Sequence, residues 1–309
     1  FKESMTSMEA CNAMERGIKK VFKDAECIKV PMADGGEGTV EALVHATFGR
    51  IERVNVIGPL GNKVEAFYGV LGNGKTAVIE MASASGIQLV KREERNPLIT
   101  TTFGTGELIK AALDQGIKHL VIGIGGSATN DGGCGMLQAL GGKLLDKDGN
   151  QIAFGGGALK DIESIDLSSL DERLKEVSIE VACDVTNPLV GEKGASAVFG
   201  PQKGATKEIV KELDNNLAHY ASVIKKDLGK EVSHIEGSGA AGGLGAALLL
   251  LGGELKRGIE LVIKHTDLAE KVKGADFVFT GEGSIDDQTI YGKTPMGVAT
   301  VAKENGVST

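Results

Sequence analysis

Residues 121–133 read VIGIGGSATNDGG: an apolar run that passes into a glycine cluster carrying Ser127, Thr129, Asn130 and Asp131. HLVIGI (119–124) reads as a buried strand, and the cluster after it as the loop at its end. Sheets built of parallel strands bind ligands at such C-terminal ends. Glycine lets the backbone approach an anion, and small hydroxyls add donors.

The flanking segments support that reading. TGELIKAALDQG forms a helix ending at Gly116, and a second helix runs from about Gly133 to Leu140. IEVACD (179–184) is a strand, TKEIVKELDNNLAHYASVIKKDLG (206–229) a long amphipathic helix, and GLGAALLLLGG a tightly packed one. ADFVFTGEG (275–283) reads as a last strand and loop. Upstream, residues 6–23 carry helical spacing, with Thr6 or Ser7 as N-cap and Glu9 early. CIKVPM (27–32) predicts a short strand, ADGGEGT a loop and VEALVHATF a helix. RIERVNVIGP, KVEAFYGVL and KTAVIEMA are closely spaced, which predicts an antiparallel meander over about 50–82. The expected class is α/β, with mostly parallel sheets and an inserted antiparallel hairpin section.

Composition excludes several functions. The 309 residues suggest one large domain or two. The net charge of −8, the lack of a basic run and the absence of Trp argue against nucleic acid and anionic membranes. Cys11, Cys27, Cys134 and Cys183 form no CxxC pair, which suits buried reduced thiols in a cytoplasmic protein. The five histidines are scattered, without zinc spacing. AALLLLGG (246–253) is too short to span a bilayer. Both ends look cut: the chain opens on Phe1 and closes on ENGVST, where a strand is expected after a helix.

Two nucleotide motifs fit in letters but not in context. GVLGNGKT (69–76) matches a P-loop, yet Lys75 and Thr76 lead into a strand where phosphate binding needs a helix. Asn73-Gly74 reads as a hairpin turn. GSGAAG (237–242) opens a helix after a poor strand, EVSHIE, and has no acidic residue at a second strand end.

What remains is a repeated chemistry. Asp34 and Glu37, Asp131, Asp184, and Glu282 with Asp286 each lie in or beside a loop of Gly, Ser and Thr. Lys2, Lys203 and Lys293 lie near such loops. Phosphoryl transfer uses this set: carboxylates for Mg²⁺, backbone donors, a lysine for charge and a carboxylate facing the acceptor hydroxyl. Each Asp is also a good turn or cap residue, Asp131 before a helix and Asp184 before Thr-Asn-Pro. Spacing alone leaves a nucleotide or phosphate enzyme of open class.

FKES, PMADGGEGT, GPLG, IEMASASG, RNPLITTTFGTGELI, GIGGSATNDGG, CDVTNPL, FGPQKGA, GAAGGLGAALL and TGEGSIDDQTIYGKTP run colinearly from Phe1 to about Pro295. Together they resemble the bacterial glycerate kinase family, type 1. The resemblance implies ATP-dependent phosphorylation of D-glycerate to 2-phosphoglycerate or 3-phosphoglycerate, with Mg²⁺. It implies two α/β lobes: residues 1–58 plus 285–309 as a terminal lobe, and 59–284 as a larger inserted one. Family members begin with a strand and Pro-Asp-Ser before FKES and continue beyond ENGVST, so the terminal lobe is expected to be incomplete here.

The site expectations follow from that resemblance. Asp184 is the candidate base, with Asp131 its rival. Glu282 and Asp286 are candidates for Mg²⁺ or its waters, and Lys293 and Lys2 for phosphate or the glycerate carboxylate. Asp34 faces the cleft from the smaller lobe. Gly125, Gly126, Ser127, Ala128 and Thr129 form an anion cradle, with Asn130 and Asp131 turned to the cleft. Gly239, Gly242 and Gly243 add backbone toward phosphate. Glycerate and ATP are the expected partners, and an oligomer is left open. The competing readings are a nicotinamide-dependent oxidoreductase using GSGAAG, and a non-catalytic nucleotide-binding fragment.

Overall fold

The structure, a computed structural model, describes residues 4–283 and 293–309. It opens with α1 (Ser7–Val21), whose capping box is complete. Thr6 Oγ1 accepts from Glu9 N–H, and Glu9 Oε2 accepts from Thr6 N–H. There follow α2 (Thr39–Thr47), β1 (Arg50–Ile57), β2 (Lys63–Val70), β3 (Thr76–Glu80), α3 (Ala82–Ser85), α4 (Phe103–Asp114), β4 (His119–Gly123) and α5 (Cys134–Ala139). The second half holds β5 (Lys143–Leu145), β6 (Ser164–Asp166), β7 (Ser178–Ala182), α6 (Ala195–Phe199), α7 (Lys207–Leu228), α8 (Ala240–Leu250), β8 (Glu254–Lys256), α9 (Gly258–His265), α10 (Leu268–Val272) and α11 (Thr294–Glu304).

The main sheet runs in the order β1-β2-β3-β4-β7-β8. β1, β2 and β3 form the expected antiparallel meander, whereas β3, β4, β7 and β8 pair in parallel. β1 pairs with β2 along its whole length, so residues 50–57 belong to the main sheet. The Asn73-Gly74 segment is the turn before β3: Asn73 Oδ1 accepts from Lys75 and Thr76 N–H. A P-loop is thereby ruled out at this position. β5 and β6 make a separate antiparallel pair that the sequence reading did not foresee.

Both faces of the parallel half are covered, which explains its unbroken apolar runs. Ile79, Leu120, Ile122 and Val181 face the larger core, shared with α4, α5, α7 and α8. Val78, Val121 and Ala182 face the other side, under Val40, Leu43 and Val44 of α2 and Leu261 and Val262 of α9. Each such Val, Leu or Ile contributes about 1.5–3 kcal/mol on burial. A third cluster joins α10 and α11 through Leu268, Val272, Val298 and Val301.

Two expected strands are corrected. Residues 27–32 have no ladder, and 275–280 have one isolated bridge, Phe277 to Ser308, among the described residues. Apolar content alone predicts a strand in each, but a strand also needs a neighbour's backbone. Phe277 and Phe279 are instead exposed.

Candidate active site

Four parallel strands end at one edge: β3 at Glu80, β4 at Gly123, β7 at Ala182 and β8 at Lys256. The loop 33–38 lies across that edge. Gly35 has φ +88°, and a Cβ there would stand 2.7 Å from Ala182 Cβ and 2.8 Å from Gly258 Cα. A Cβ on Gly123 would come within 2.6 Å of the Gly35 carbonyl oxygen. Glycine is therefore required at 35 by both conformation and space. The loop turns on Asp34, whose Oδ1 accepts from Gly36 N–H at 3.1 Å, and it leaves Asp34 exposed.

Asp184 stands just beyond β7. Its Oδ1 accepts from Gly258 N–H, the first of α9, at 2.9 Å. The residue is exposed, but surrounding protein desolvates its carboxyl and raises the pKa above the ordinary aspartate value. Asp34 adds repulsion, while the Gly258 N–H and Arg257 pull the other way. Asp34 and Asp184 thus share one corner of the site.

Glu80 is a residue that the sequence reading missed. Its carboxylate is buried, and Oε1 accepts from Val40 N–H at 2.8 Å. Burial pushes its pKa up to about 7, opposed by the N–H groups of Val40 and Gly38. The signal was present: TAVIE is a fully buried strand that ends in an acid.

The glycine cluster is arranged differently from the cradle expected. Gly125 and Gly126 are exposed, whereas Ser127, Thr129, Asn130 and Asp131 are buried. Ala128 N–H donates to the Ser85 carbonyl, and Thr100 Oγ1 to the Ala128 carbonyl. Asp131 is taken up by four donors: Thr102 N–H and Oγ1 at 2.8 Å each, Gly133 N–H at 3.1 Å and Gly135 N–H at 3.3 Å. It staples α4 and α5, and Asn130 is likewise buried, with Nδ2 donating to Ser196 Oγ at 3.0 Å, so both side chains are turned into the protein and not outward as expected. Lys203, also buried, donates to the Thr129 carbonyl at 2.6 Å. Burial lowers its pKa to about 7, with Asp131 opposing.

The second glycine run packs against the first. Ala241, Gly242 and Gly243 adopt left-handed conformations that break the first turn of α8. Gly132 N–H donates to the Gly242 carbonyl at 3.0 Å, and a Cβ on Gly242 would collide with the Thr129 carbonyl oxygen. Gly242 and Gly243 are buried in this backbone contact, so they are corrected from phosphate ligands to packing glycines. Gly239 packs likewise on Pro188. No strand precedes GSGAAG, and a dinucleotide fingerprint has no basis there.

A model of the glycerate kinase family matches residues 1–309. The chain belongs to that family. It is therefore a kinase, a phosphotransferase with an alcohol group as acceptor. It is 60% identical over 308 residues to the glycerate kinase of Bacillus subtilis (strain 168), covering 99% of this chain and 81% of the relative. It is 58% identical over 305 residues to the glycerate 2-kinase of Escherichia coli (strain K12), covering 98% and 80%. A crystal structure assigned as glycerate kinase 2 from Salmonella typhimurium LT2 superposes with a TM-score of 0.95 at 55% identity, covering 99% of this chain and 82% of that one.

In this glycerate kinase family chain, a cavity of about 1510 Å³ adjoins the end of β3 and loop 33–38. Asp34, Glu37, Glu80, Glu282 and Lys293 line it, together with apolar residues of α1 and segment 25–30. Asp184 lies outside that lining, beside Asp34. Lys2 and Asp286 fall outside the described residues. Among the described residues no three His, Cys, Asp or Glu side chains form a metal-binding group. No helix there is long and apolar enough to cross a membrane.

Proposed function

We propose that the chain transfers the γ-phosphoryl group of ATP to a hydroxyl of D-glycerate, giving 2-phosphoglycerate. The observation that carries this is the Asp34–Asp184 corner: two exposed carboxylates, Asp34 on the loop seated across the strand ends by glycine contacts and Asp184 just beyond β7. The similarity to a protein named glycerate 2-kinase supports the choice of hydroxyl.

Asp184 accepts a hydrogen bond from the acceptor hydroxyl and takes its proton as the new P–O bond forms. Its Gly258 N–H bond fixes the carboxylate, and its raised pKa makes it a better base than a free aspartate. The exposed backbone of Gly125 and Gly126 is the part of the glycine cluster able to meet phosphate oxygens. Lys293, with Lys2, neutralises phosphate or the glycerate carboxylate. The donor set suits Mg²⁺, which favours one or two carboxylates with phosphate oxygens and water. Glu282 and Asp286 are the carboxylates proposed to hold it; bound there, it would shield phosphate charge. Two lobes would frame the cleft, with the boundary expected near 58 moved to before residue 50, because β1 pairs with β2 in the main sheet. All four cysteines are free, which agrees with a cytoplasmic setting.

The test is ³¹P NMR of Mg-ATP, D-glycerate and the protein. A growing phosphomonoester signal alongside ADP supports the kinase, and its coupling to the carbon-bound protons identifies the hydroxyl. A 3-phosphoglycerate signal would replace the assigned product. Absence of transfer, also from a chain extended to the relatives' full length, would overturn the reading.

A further inference from the structure

We infer that Glu80 is a positioning residue, whose carboxylate ties the start of α2 to the end of β3 and so holds loop 33–38, with Asp34, across the site. The helix begins at Gly38, which has φ +85° and no side chain to cap the first turn. Its N-terminal N–H groups therefore need an acceptor from elsewhere. Glu80 supplies it from another element: Oε1 accepts from Val40 N–H at 2.8 Å, across 40 residues of sequence. A carboxylate at a helix N-terminus is also favoured by the helix dipole.

The loop has few other ties. Gly35 touches Ala182 and Gly258 by backbone packing, and Asp34 and Thr39 bond within the loop to Gly36. Loss of the Glu80 bond would release the first turn of α2, while Val40, Leu43 and Val44 keep the helix packed on the sheet, and would let loop 33–38 carry Asp34 away from Asp184. The charged groups facing Glu80 are Glu41 of α2 and Glu37 of the loop; β4, alongside, presents Gly123. Both acids oppose ionisation, as burial does, so the tie weakens on the acid side of neutrality.

Hydrogen exchange of the peptide covering 33–44 tests this in the intact chain, with Glu80→Ala and Glu80→Gln as variants. At pH 8, Glu80→Ala should exchange about tenfold faster there, with peptides of α4 and α7 unchanged. Glu80→Gln keeps one acceptor oxygen and should fall between the two. Wild-type protection, corrected for intrinsic rates, should drop as pH falls through 7, and Glu80→Gln should lose that dependence. A kinetic arm rests on the proposed glycerate reaction: Glu80→Ala should raise KM for glycerate about tenfold and change kcat less.

Wild-type exchange at 33–44 in both variants would overturn the inference. If Glu80→Ala does not fold, wild-type exchange and pH dependence in Glu80→Gln would do so alone. Wild-type exchange with turnover lost in Glu80→Gln would make Glu80 a proton-transfer group and overturn it as well. Failure of glycerate as a substrate would sink only the proposed function, because the exchange arm uses no substrate.

Discussion

Asp131 and Asp184 occupy matching places in the sequence and opposite places in the molecule. Each follows a buried parallel strand, β4 or β7, in a loop of small residues. Asp131 is buried and has four donors from its own chain. Asp184 is exposed, has one donor from the start of α9, and sits beside Asp34. A strand-end position therefore selects candidates without ranking them. The ranking comes from how much of the carboxylate the fold itself consumes.

The sharpest way to break the comparison is to neutralise each aspartate. Asp184→Asn should cut kcat by roughly a hundredfold or more, with the melting temperature little changed. In the wild type, the acid limb of kcat/KM, which reports the free enzyme, should lie above the ordinary aspartate value of about 3.9, because Asp184 is held protonated to higher pH. The variant should lose that limb. Turnover near wild type in Asp184→Asn would remove it as the base.

Gly35→Ala should have the next largest effect, lowering kcat/KM about tenfold. The added methyl has no space between Ala182 and Gly258 and disfavours φ +88°, so the loop must lift off the strand ends. Unchanged kinetics in that variant would mean that the loop does not position Asp34.

Asp131→Asn should behave in the opposite way to Asp184→Asn. Kinetics of the folded protein should stay within about threefold, while stability falls by about 1–3 kcal/mol, since an amide leaves buried N–H groups facing a donor. Thermal melting and single-temperature kinetics separate the two. A hundredfold loss of kcat with unaltered melting would restore Asp131 as a catalytic candidate.

The different outcomes also explain what could be read in the chain beforehand. Periodicity and turn chemistry located β1 to β4, β7, α1, α4 and α7, because these elements depend on local preference and a buried face. It failed at 27–32 and 275–280, where pairing depends on a partner strand that apolar content cannot specify. The candidate acids were legible as residue types in glycine-rich loops. Their exposure was not, because Thr102, which donates two hydrogen bonds to Asp131, lies 29 residues away and no local pattern records that pairing. Glu80 was hidden for a related reason: its partner, Val40, is 40 residues away and uses a backbone N–H that no side-chain motif records.

Lys203 gives the smallest effect on turnover and the most specific one on stability. Its ammonium is buried against the Thr129 carbonyl, next to the loop that Asp131 staples, and its pKa falls to about 7 from an ordinary 10.5. Between those values the unfolded chain binds the proton more readily than the folded one. By linkage, this group makes folding less favourable below about pH 7, and the penalty is relieved as pH rises toward 10.5. Lys203→Met fills similar space without the charge, so its melting temperature should exceed that of the wild type most at pH 6 and least at pH 9.5. Turnover at pH 8 should change less than about threefold, because Lys203 touches the buried side of the cluster and not Gly125 or Gly126. Parallel melting curves across that range would show that the ammonium is stabilised by Asp131 as strongly as burial opposes it. The cluster would then be an ion pair that carries its own compensation, and the contrast with the open Asp184 corner would rest on charge as well as on exposure.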